Sequence, residues 1–121
     1  MPGGSAERGA VATKAVMNAA RRLGIPNKAL ARIVGLSEAS ISRMGNGTYT
    51  LAPTDKAFEI AVLFVRLFRS LDAIVGGDEA VARAWLRNDN SALGAPPLER
   101  IETIAGLIDV IAYLDARRAL V

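Results

Sequence analysis

Residues 27–47, NKALARIVGLSEASISRMGNG, contain the pattern that decides the fold. Apolar side chains recur there at helical spacing on both sides of Gly35, a residue type that adopts the positive φ of a tight turn at little cost. Ala31, four positions earlier, is small enough to let two helices approach each other. The side chains suited to holding the second helix against the first are Leu30, Val34, Leu36, Ile41 and Met44. The stretch therefore predicts two short helices joined by a tight turn.

Helical spacing continues along the rest of the chain, and turn-forming residues separate the segments. In the first half, the predicted helices are Val11–Leu23, Lys28–Val34 after the cap Asn27, and a helix through Met44 after the cap Ser37. In the second half, they are a long helix from Thr54 or Asp55 to about Val75, Glu79–Arg87 after the cap Asp78, and a last helix that starts at Pro96-Pro97 and is interrupted near Gly106. No run alternates with period two for long enough to form a strand. We therefore expect an all-α protein, with a module boundary at Thr50–Pro53.

The long helix has apolar residues on several sides, among them Phe58, Val62, Val65 and Phe68. We expect it to be a buried central helix that also contributes to dimerisation. On the next helix, the residues expected to point into the core are Val81, Ala84, Trp85 and Leu86.

Composition limits the function. The chain has 121 residues, 51% hydrophobic and 22% charged, so it can form one compact domain or two very small ones. Such a small interior cannot enclose every large apolar side chain, which favours association with a partner. Cysteine and histidine are absent, which excludes disulfides, Cys and His metal ligands and the commonest general base. We therefore predict no catalytic residues, no metal site and no cofactor.

The sequence also indicates where in the cell the protein is found. Met1–Gly9 is small and polar and lacks the apolar segment of a signal peptide. The most apolar stretch, Ile60–Val65, is followed by Arg66 and Arg69, which makes it too short to span a membrane. We expect a soluble, cytoplasmic protein without a membrane partner, in which residues 1–10 form a flexible N-terminus.

Charge is distributed unevenly along the chain. Residues 1–53 contain seven basic and two acidic side chains, whereas residues 54–121 contain eight basic and ten acidic ones. A basic first half favours a polyanionic partner, and a mildly acidic second half suits a protein partner.

Residues 11–53 resemble an Xre-type, lambda-repressor-like helix-turn-helix domain. The resemblance lies in the glycine turn and in the spacing of the apolar residues around it. The resemblance implies that the domain binds operator DNA through its second helix. Arg43 would then hold a guanine edge or a phosphate, and the helix N-terminus at Ser37 would meet a phosphate. The other candidate DNA contacts are Lys28, Arg32, Glu38, Ser40, Ser42 and Asn46. Because a monomer would bind weakly, we expect a homodimer on a near-palindrome with half-sites about 34 Å apart.

A purely structural helix hairpin is the alternative for this segment. The second helix is short, carries the acidic Glu38 and has few side chains that read bases. Both interpretations use the same core residues, so the core pattern does not separate them.

Residues 54–121 resemble the toxin-binding domain of Xre/MbcA/ParS-type antitoxins. The resemblance is carried, in order, by Gly77-Asp78-Glu79, Ala82-Arg83-Ala84-Trp85-Leu86, Asn90-Ser91-Ala92-Leu93-Gly94, Pro97-Leu98-Glu99, and Thr103 with Gly106 at the family's helix break. The family usually continues with glycine-glycine-arginine after the alanine-leucine pair. Here Ala95 and Pro96 follow Gly94, so that basic contact is absent. We therefore expect an N-terminal helix-turn-helix module packed with a C-terminal helical toxin-binding module.

This resemblance implies a type II toxin–antitoxin system whose toxin is a RES-domain protein that depletes NAD. The antitoxin would cover the entrance to the toxin's active site, regulate its own operon through the helix-turn-helix, and form a higher toxin–antitoxin complex as a homodimer. A helical plug of this kind needs exposed apolar anchors and a few polar tips. The candidate toxin-binding residues are Tyr113, Leu114, Arg117, Arg118, Leu120 and Val121.

Other interpretations stay open. Arg117 and Arg118 also suit the negative end of a helix dipole, which requires no partner. Trp85 is expected in the core rather than at an interface. For the whole chain, the alternatives are a plain dimeric helix-turn-helix transcriptional regulator without a toxin, and a binding module whose helix-turn-helix no longer contacts DNA.

Overall fold

The computed structural model describes residues 2–120, with side chains from residue 4 onwards. Within this range the backbone forms seven α-helices and no strand, which confirms the all-α prediction. The helices are α1 (Pro2–Arg22), α2 (Asn27–Val34), α3 (Glu38–Asn46), α4 (Lys56–Ile74), α5 (Glu79–Arg87), α6 (Pro97–Arg100) and α7 (Ile104–Arg118). They form two compact units, Met1–Val65 and Arg66–Val121.

The division between the units falls inside α4, later than the predicted boundary after Pro53. The turn residues before α4 do separate two helices, but the first part of α4 belongs to the first unit. The buried residues of that part are Ala57, Ile60, Ala61 and Phe64. Those of the second part are Leu67, Phe68, Ser70 and Leu71. One side of the long helix is therefore buried, but the expectation of a fully buried central helix is wrong: Phe58 and Val65 are half-buried, and Val62 is 47% exposed.

In the first unit, α2 and α3 pack against each other around Gly35, and α3 also contacts α1. Gly35 has φ +78°, and its N–H donates to the carbonyl of Ala31, so the predicted glycine turn is confirmed. Leu36 is half-buried. The other predicted packing residues are buried: Leu30, Val34, Ile41 and Met44.

Two predicted helix caps are confirmed and one is wrong. The Ser37 hydroxyl accepts a hydrogen bond from the Ser40 N–H at 3.1 Å, and the Asp78 carboxylate accepts one from the Val81 N–H at 3.2 Å. Asn27 is already the first residue of α2 and follows Pro26, which makes no side-chain cap. The asparagine is therefore not the cap of this helix.

Helix α1 begins at Pro2, so the helix start predicted at Val11 is wrong, and residues 2–10 are helical rather than an irregular N-terminus. Contacts with a distant part of the chain hold this extension in place. The Thr13 hydroxyl donates to the Gly9 carbonyl at 2.7 Å and accepts from the Leu51 N–H at 2.9 Å. Gly9 lies so close to Leu51 that a Cβ on it would be 2.1 Å from the Leu51 carbonyl oxygen.

The second unit is built on α7, whose buried side carries Gly106, Leu107, Val110, Ile111 and Leu114. Helix α6 contacts both α5 and α7. On α5, the buried residues are Ala82 and Leu86. The prediction that Val81 and Ala84 point inwards is therefore wrong, and Val81 is 50% exposed.

The break before α7 lies at residues 101–103, not near Gly106. Thr103 caps α7, because its hydroxyl accepts from the Gly106 N–H at 3.0 Å. A Cβ at Gly106 would be 1.8 Å from the Arg100 carbonyl oxygen. This glycine thus permits the close approach of α6 to α7 and does not end a helix.

A polar cluster joins the second part of α4 to α7. The Asp115 carboxylate accepts hydrogen bonds from the Ser70 hydroxyl at 2.9 Å and from the Arg66 guanidinium. Ser70 is only 1% exposed. The Ser70 hydrogen bond, and then the positive charges of Arg66 and Arg118, lower the pKa of the Asp115 carboxyl, although its partial burial acts in the opposite direction.

We expect Gly9→Ala to lower the free energy of unfolding by about 1–3 kcal/mol, because the new methyl group would overlap the Leu51 carbonyl. Urea unfolding followed by circular dichroism measures this change. Gly4→Ala is the matched control, since no atom lies within 4 Å of a Cβ at that position and alanine favours the helix. Equal stability of the two variants would contradict the close contact at Gly9.

Asp115→Ala should lower the free energy of unfolding by about 1 kcal/mol at pH 7, because the buried Ser70 hydroxyl loses its acceptor. The pKa of Asp115 is lower in the folded than in the unfolded chain, so its contribution is complete above the unfolded pKa and is lost as the pH falls through the folded pKa. The difference between variant and wild type should therefore shrink below about pH 4. Urea unfolding across the acidic range tests this, and a pH-independent difference would indicate lost packing instead.

Candidate functional site

The predicted DNA contacts lie on α2, on α3 and at the turn between them. Ser40 is half-buried, and the others are exposed: Lys28, Arg32, Ser37, Glu38, Ser42, Arg43 and Asn46. Ile41 and Met44 form the buried side of α3. At about 100° per residue, the opposite side consists of Ala39, Ser42, Arg43 and Asn46. These four residues form the outward side of α3.

Ala39 was not among the predicted contacts, yet it lies near the centre of this outward side and is exposed. Its methyl group is suited to apolar contact with a thymine methyl in the major groove. Helical spacing in the sequence already places Ala39 on the outward side, four and seven residues from Arg43 and Asn46, although it was not counted as a contact.

Hydrogen bonds join the side chain of the cap residue Ser37 to two side chains of α3. The Ser37 hydroxyl donates to Ser40 Oγ at 3.0 Å, and Arg43 Nη2 donates to the same oxygen at 3.4 Å. Ser40 therefore serves as an anchor inside the helix, and Arg43 is the outward group. The guanidinium is held towards the helix N-terminus, the end at which backbone N–H groups also favour anions.

Asn46 stabilises the turn that follows α3. Its side-chain oxygen accepts hydrogen bonds from the Thr48 hydroxyl at 2.6 Å and the Thr48 N–H at 3.1 Å. Thr48 and Thr50 are exposed next to this turn, and Tyr49 is half-buried. Sequence reasoning missed these three residues, which follow the end of α3 directly in the chain.

The charge of this surface is positive. Lys28, Arg32 and Arg43 are exposed, and among the side chains that the structure describes none of them forms an ion pair. Glu38 is the acidic residue in the first turn of α3, where a carboxylate is favoured by the helix dipole. The surface can thus bind an anion without breaking an existing ion pair.

A second surface lies on α5 and α7 in the other unit. The rings of Trp85 and Tyr113 stack with centroids 6.2 Å apart and an angle of 20° between their planes. The guanidinium of Arg117 lies 5.8 Å from the Tyr113 ring centre and donates to the Tyr113 hydroxyl at 3.1 Å. Val81, one turn before Trp85, is 50% exposed, and Leu120, two turns after Tyr113, is 84% exposed. We call these five residues the aromatic surface.

The structure divides the predicted toxin-binding residues into separate groups. Tyr113, Arg117 and Leu120 belong to the aromatic surface. Leu114 is 2% exposed and lies in the core, so its assignment as an exposed anchor is wrong. Arg118 lies beside Asp115, whose carboxylate it stabilises through its charge. Val121 lies outside the described residues.

Trp85 is half-buried, so the expectation that it belongs to the core is only partly met. The core positions of α5 are Ala82 and Leu86, which places Trp85 at the margin of the buried side. One indication in the sequence was its spacing of four residues from Val81, which gives α5 an apolar pair outside its core positions.

Within residues 4–120, no three acidic side chains lie close enough together to bind a metal ion. None of the helices between residues 2 and 120 combines the length and the apolar content needed to cross a membrane.

Comparison with protein families assigns each unit. A model described as the antitoxin Xre-like helix-turn-helix domain matches residues 3–66, and one described as the antitoxin Xre/MbcA/ParS C-terminal toxin-binding domain matches residues 70–119. No protein of curated function matches the sequence. The first match covers more than half of the chain, and both resemblances noted in the sequence are confirmed. The chain therefore belongs to the Xre-like helix-turn-helix antitoxins and carries the toxin-binding domain of the Xre/MbcA/ParS type.

Proposed function

We propose that this antitoxin neutralises a RES-type toxin that depletes NAD, by covering the toxin's active site, and that it represses its own operon by binding operator DNA. The proposal rests on one observation: each of the two matched domains carries an exposed surface suited to the partner of that domain. The helix-turn-helix match contains the positive outward side of α3, and the toxin-binding match contains Trp85, Tyr113 and Arg117.

The DNA-binding part of the proposal uses the outward side of α3 in the major groove. Arg43 offers two parallel donors to a guanine edge, and Ala39 offers a methyl group to thymine. Lys28 and Arg32 on α2 would contact phosphates, which fix the position of the helix without reading sequence. Ser42 and Asn46 belong to the same side. Ser37 and Glu38 border it at the start of α3 and complete the proposed contact.

The DNA site requires two copies of the chain, since one short recognition helix provides few contacts. We place the homodimer contact on exposed apolar side chains that the core leaves uncovered. In the second unit, Ile104 and Ile108 lie one turn apart on α7 and are 49% and 51% exposed. A toxin bound to each dimer would give the higher complex.

The toxin-binding part of the proposal uses α7 as a rigid element. The C-terminal end of that helix carries Arg117 and Arg118, and the exposed Leu120 follows it. A helix end with apolar and cationic side chains can fill the mouth of an active site and exclude its substrate. We assign no catalytic residue to this chain, because blocking a site requires only complementary contacts.

Co-expression tests the antitoxin part of the proposal. A RES-domain toxin encoded beside this gene should stop bacterial growth and deplete cellular NAD, and co-expression of this chain should restore both. Growth curves and NAD assays measure the effect, with an unrelated helix-turn-helix protein as control. A plain transcriptional regulator would bind DNA yet leave NAD depleted, which would contradict the proposal.

Arg43→Ala should weaken operator binding by about 1–3 kcal/mol and flatten its base preference, because a guanine contact is lost. The matched control is Arg21→Ala, which removes the same charge from the first unit at an exposed position on α1. Fluorescence anisotropy with operator and scrambled DNA at two salt concentrations measures both variants. If the two variants lose the same affinity and keep the same base preference, Arg43 does not read the sequence.

A further inference from the structure

We propose that the toxin is held chiefly by the aromatic surface, with Trp85 as the central anchor, and that the opposing toxin surface is an apolar pocket bordered by a carboxylate. This proposal rests on the proposed antitoxin function and moves the main contact from the C-terminal tip to the side formed by α5 and α7. Both helices lie within the matched toxin-binding domain, residues 70–119.

The apolar part of the argument concerns residues that the core does not enclose. The rings of Trp85 and Tyr113 stack on each other, and both residues are only half-buried. The exposed side chains of Val81 and Leu120 extend this area along α5 and beyond the end of α7. Tryptophan, tyrosine and arginine are the residue types that most often dominate the binding energy of protein interfaces. The aromatic surface brings all three together.

The charge of the surface indicates the chemistry of the partner. Helix α7 carries two carboxylates, and both are engaged: Asp109 with Arg100 at 2.6 Å, and Asp115 with Ser70 and Arg66. Arg117 contacts only the ring and hydroxyl of Tyr113 among the described residues, so its charge is not neutralised by a carboxylate. A partner that covers Arg117 must supply an acceptor, and a carboxylate is the strongest one.

The same charge argues against a second copy of this chain as the occupant. In a two-fold dimer, a surface meets itself, so the cation of one copy would face an identical, carboxylate-free surface. Desolvating Arg117 there would be unfavourable. Arg117 is also held in place by its contacts with Tyr113, which reduces the side-chain entropy lost on binding. These features favour a different protein, with an acidic rim around its binding pocket, as the occupant of this surface. In the proposed function that protein is the toxin.

The sequence permits a direct test, because Trp85 is the only tryptophan. Incorporation of 5-fluorotryptophan into the full chain gives a single fluorine signal that reports this side chain alone. Unlabelled RES-domain protein encoded beside this gene is then added. We expect the signal to shift in the complex and to lose its sensitivity to a soluble paramagnetic agent, since the ring becomes covered.

Variants measure the contribution of each group to affinity. We expect Trp85→Ala to weaken binding about thirtyfold or more and Arg117→Glu tenfold or more. Arg69→Glu, the matched control at an exposed position of α4 in the same unit, should change affinity by less than about threefold. Trp85→Phe preserves an aromatic ring at this position. If this variant binds the toxin more weakly and keeps the thermal stability of the wild type, unfolding is excluded as the cause of the loss.

Three results would overturn the proposal. One is a complex in which the fluorine signal stays unchanged, and another is an equal loss of affinity for Arg117→Glu and Arg69→Glu. In both cases the antitoxin function would stand and only the contact surface would be wrong. The third is a fluorine signal which shows that Trp85 becomes covered when the chain is concentrated without toxin. That result would assign the surface to a second copy of this chain. If the wild type does not bind the toxin at all, the proposed function itself fails.

Discussion

The short helices of this protein depend on burying one apolar side. Helices of eight or nine residues, such as α2, α3 and α5, are marginal in water, so packing rather than intrinsic propensity keeps them folded. On α3 that packing is provided by Ile41 and Met44, and on α5 by Ala82 and Leu86. Because these residues fix the helix, the side chains on the other side are not needed for its packing.

The parts of the fold that the sequence predicted well depend on neighbouring residues. Ser37 and Asp78 cap helices through hydrogen bonds to residues three positions away, and Gly35 turns the chain with a positive φ. Such features need only a short window of sequence. For the same reason, the outward positions of α3 could be assigned once the buried positions of that helix were recognised.

The features that could not be predicted depend on contacts between distant residues. Helix α1 extends to Pro2 because Gly9 and Thr13 pack on Leu51, a partner that no local pattern around Gly9 reveals. Gly106 looked like a helix break, but it accommodates the carbonyl of Arg100. Likewise Trp85 looked like a core residue, and the shift of the buried side of α5 to Ala82 and Leu86 left it at the margin. In each case tertiary packing outweighed local preference.

Both candidate surfaces hold an arginine in the same way. Arg43 donates to the hydroxyl of Ser40, and Arg117 donates to the hydroxyl of Tyr113. A hydroxyl positions the guanidinium without neutralising it, whereas a carboxylate would fix it and cancel its charge, as Asp109 does for Arg100. An arginine held by a hydroxyl is therefore ordered, and its positive charge can still bind an anion. In the proposed complexes, the surroundings then select the anion: small side chains around Arg43 would allow a duplex to approach, and the aromatic rings beside Arg117 would favour an apolar surface around the carboxylate.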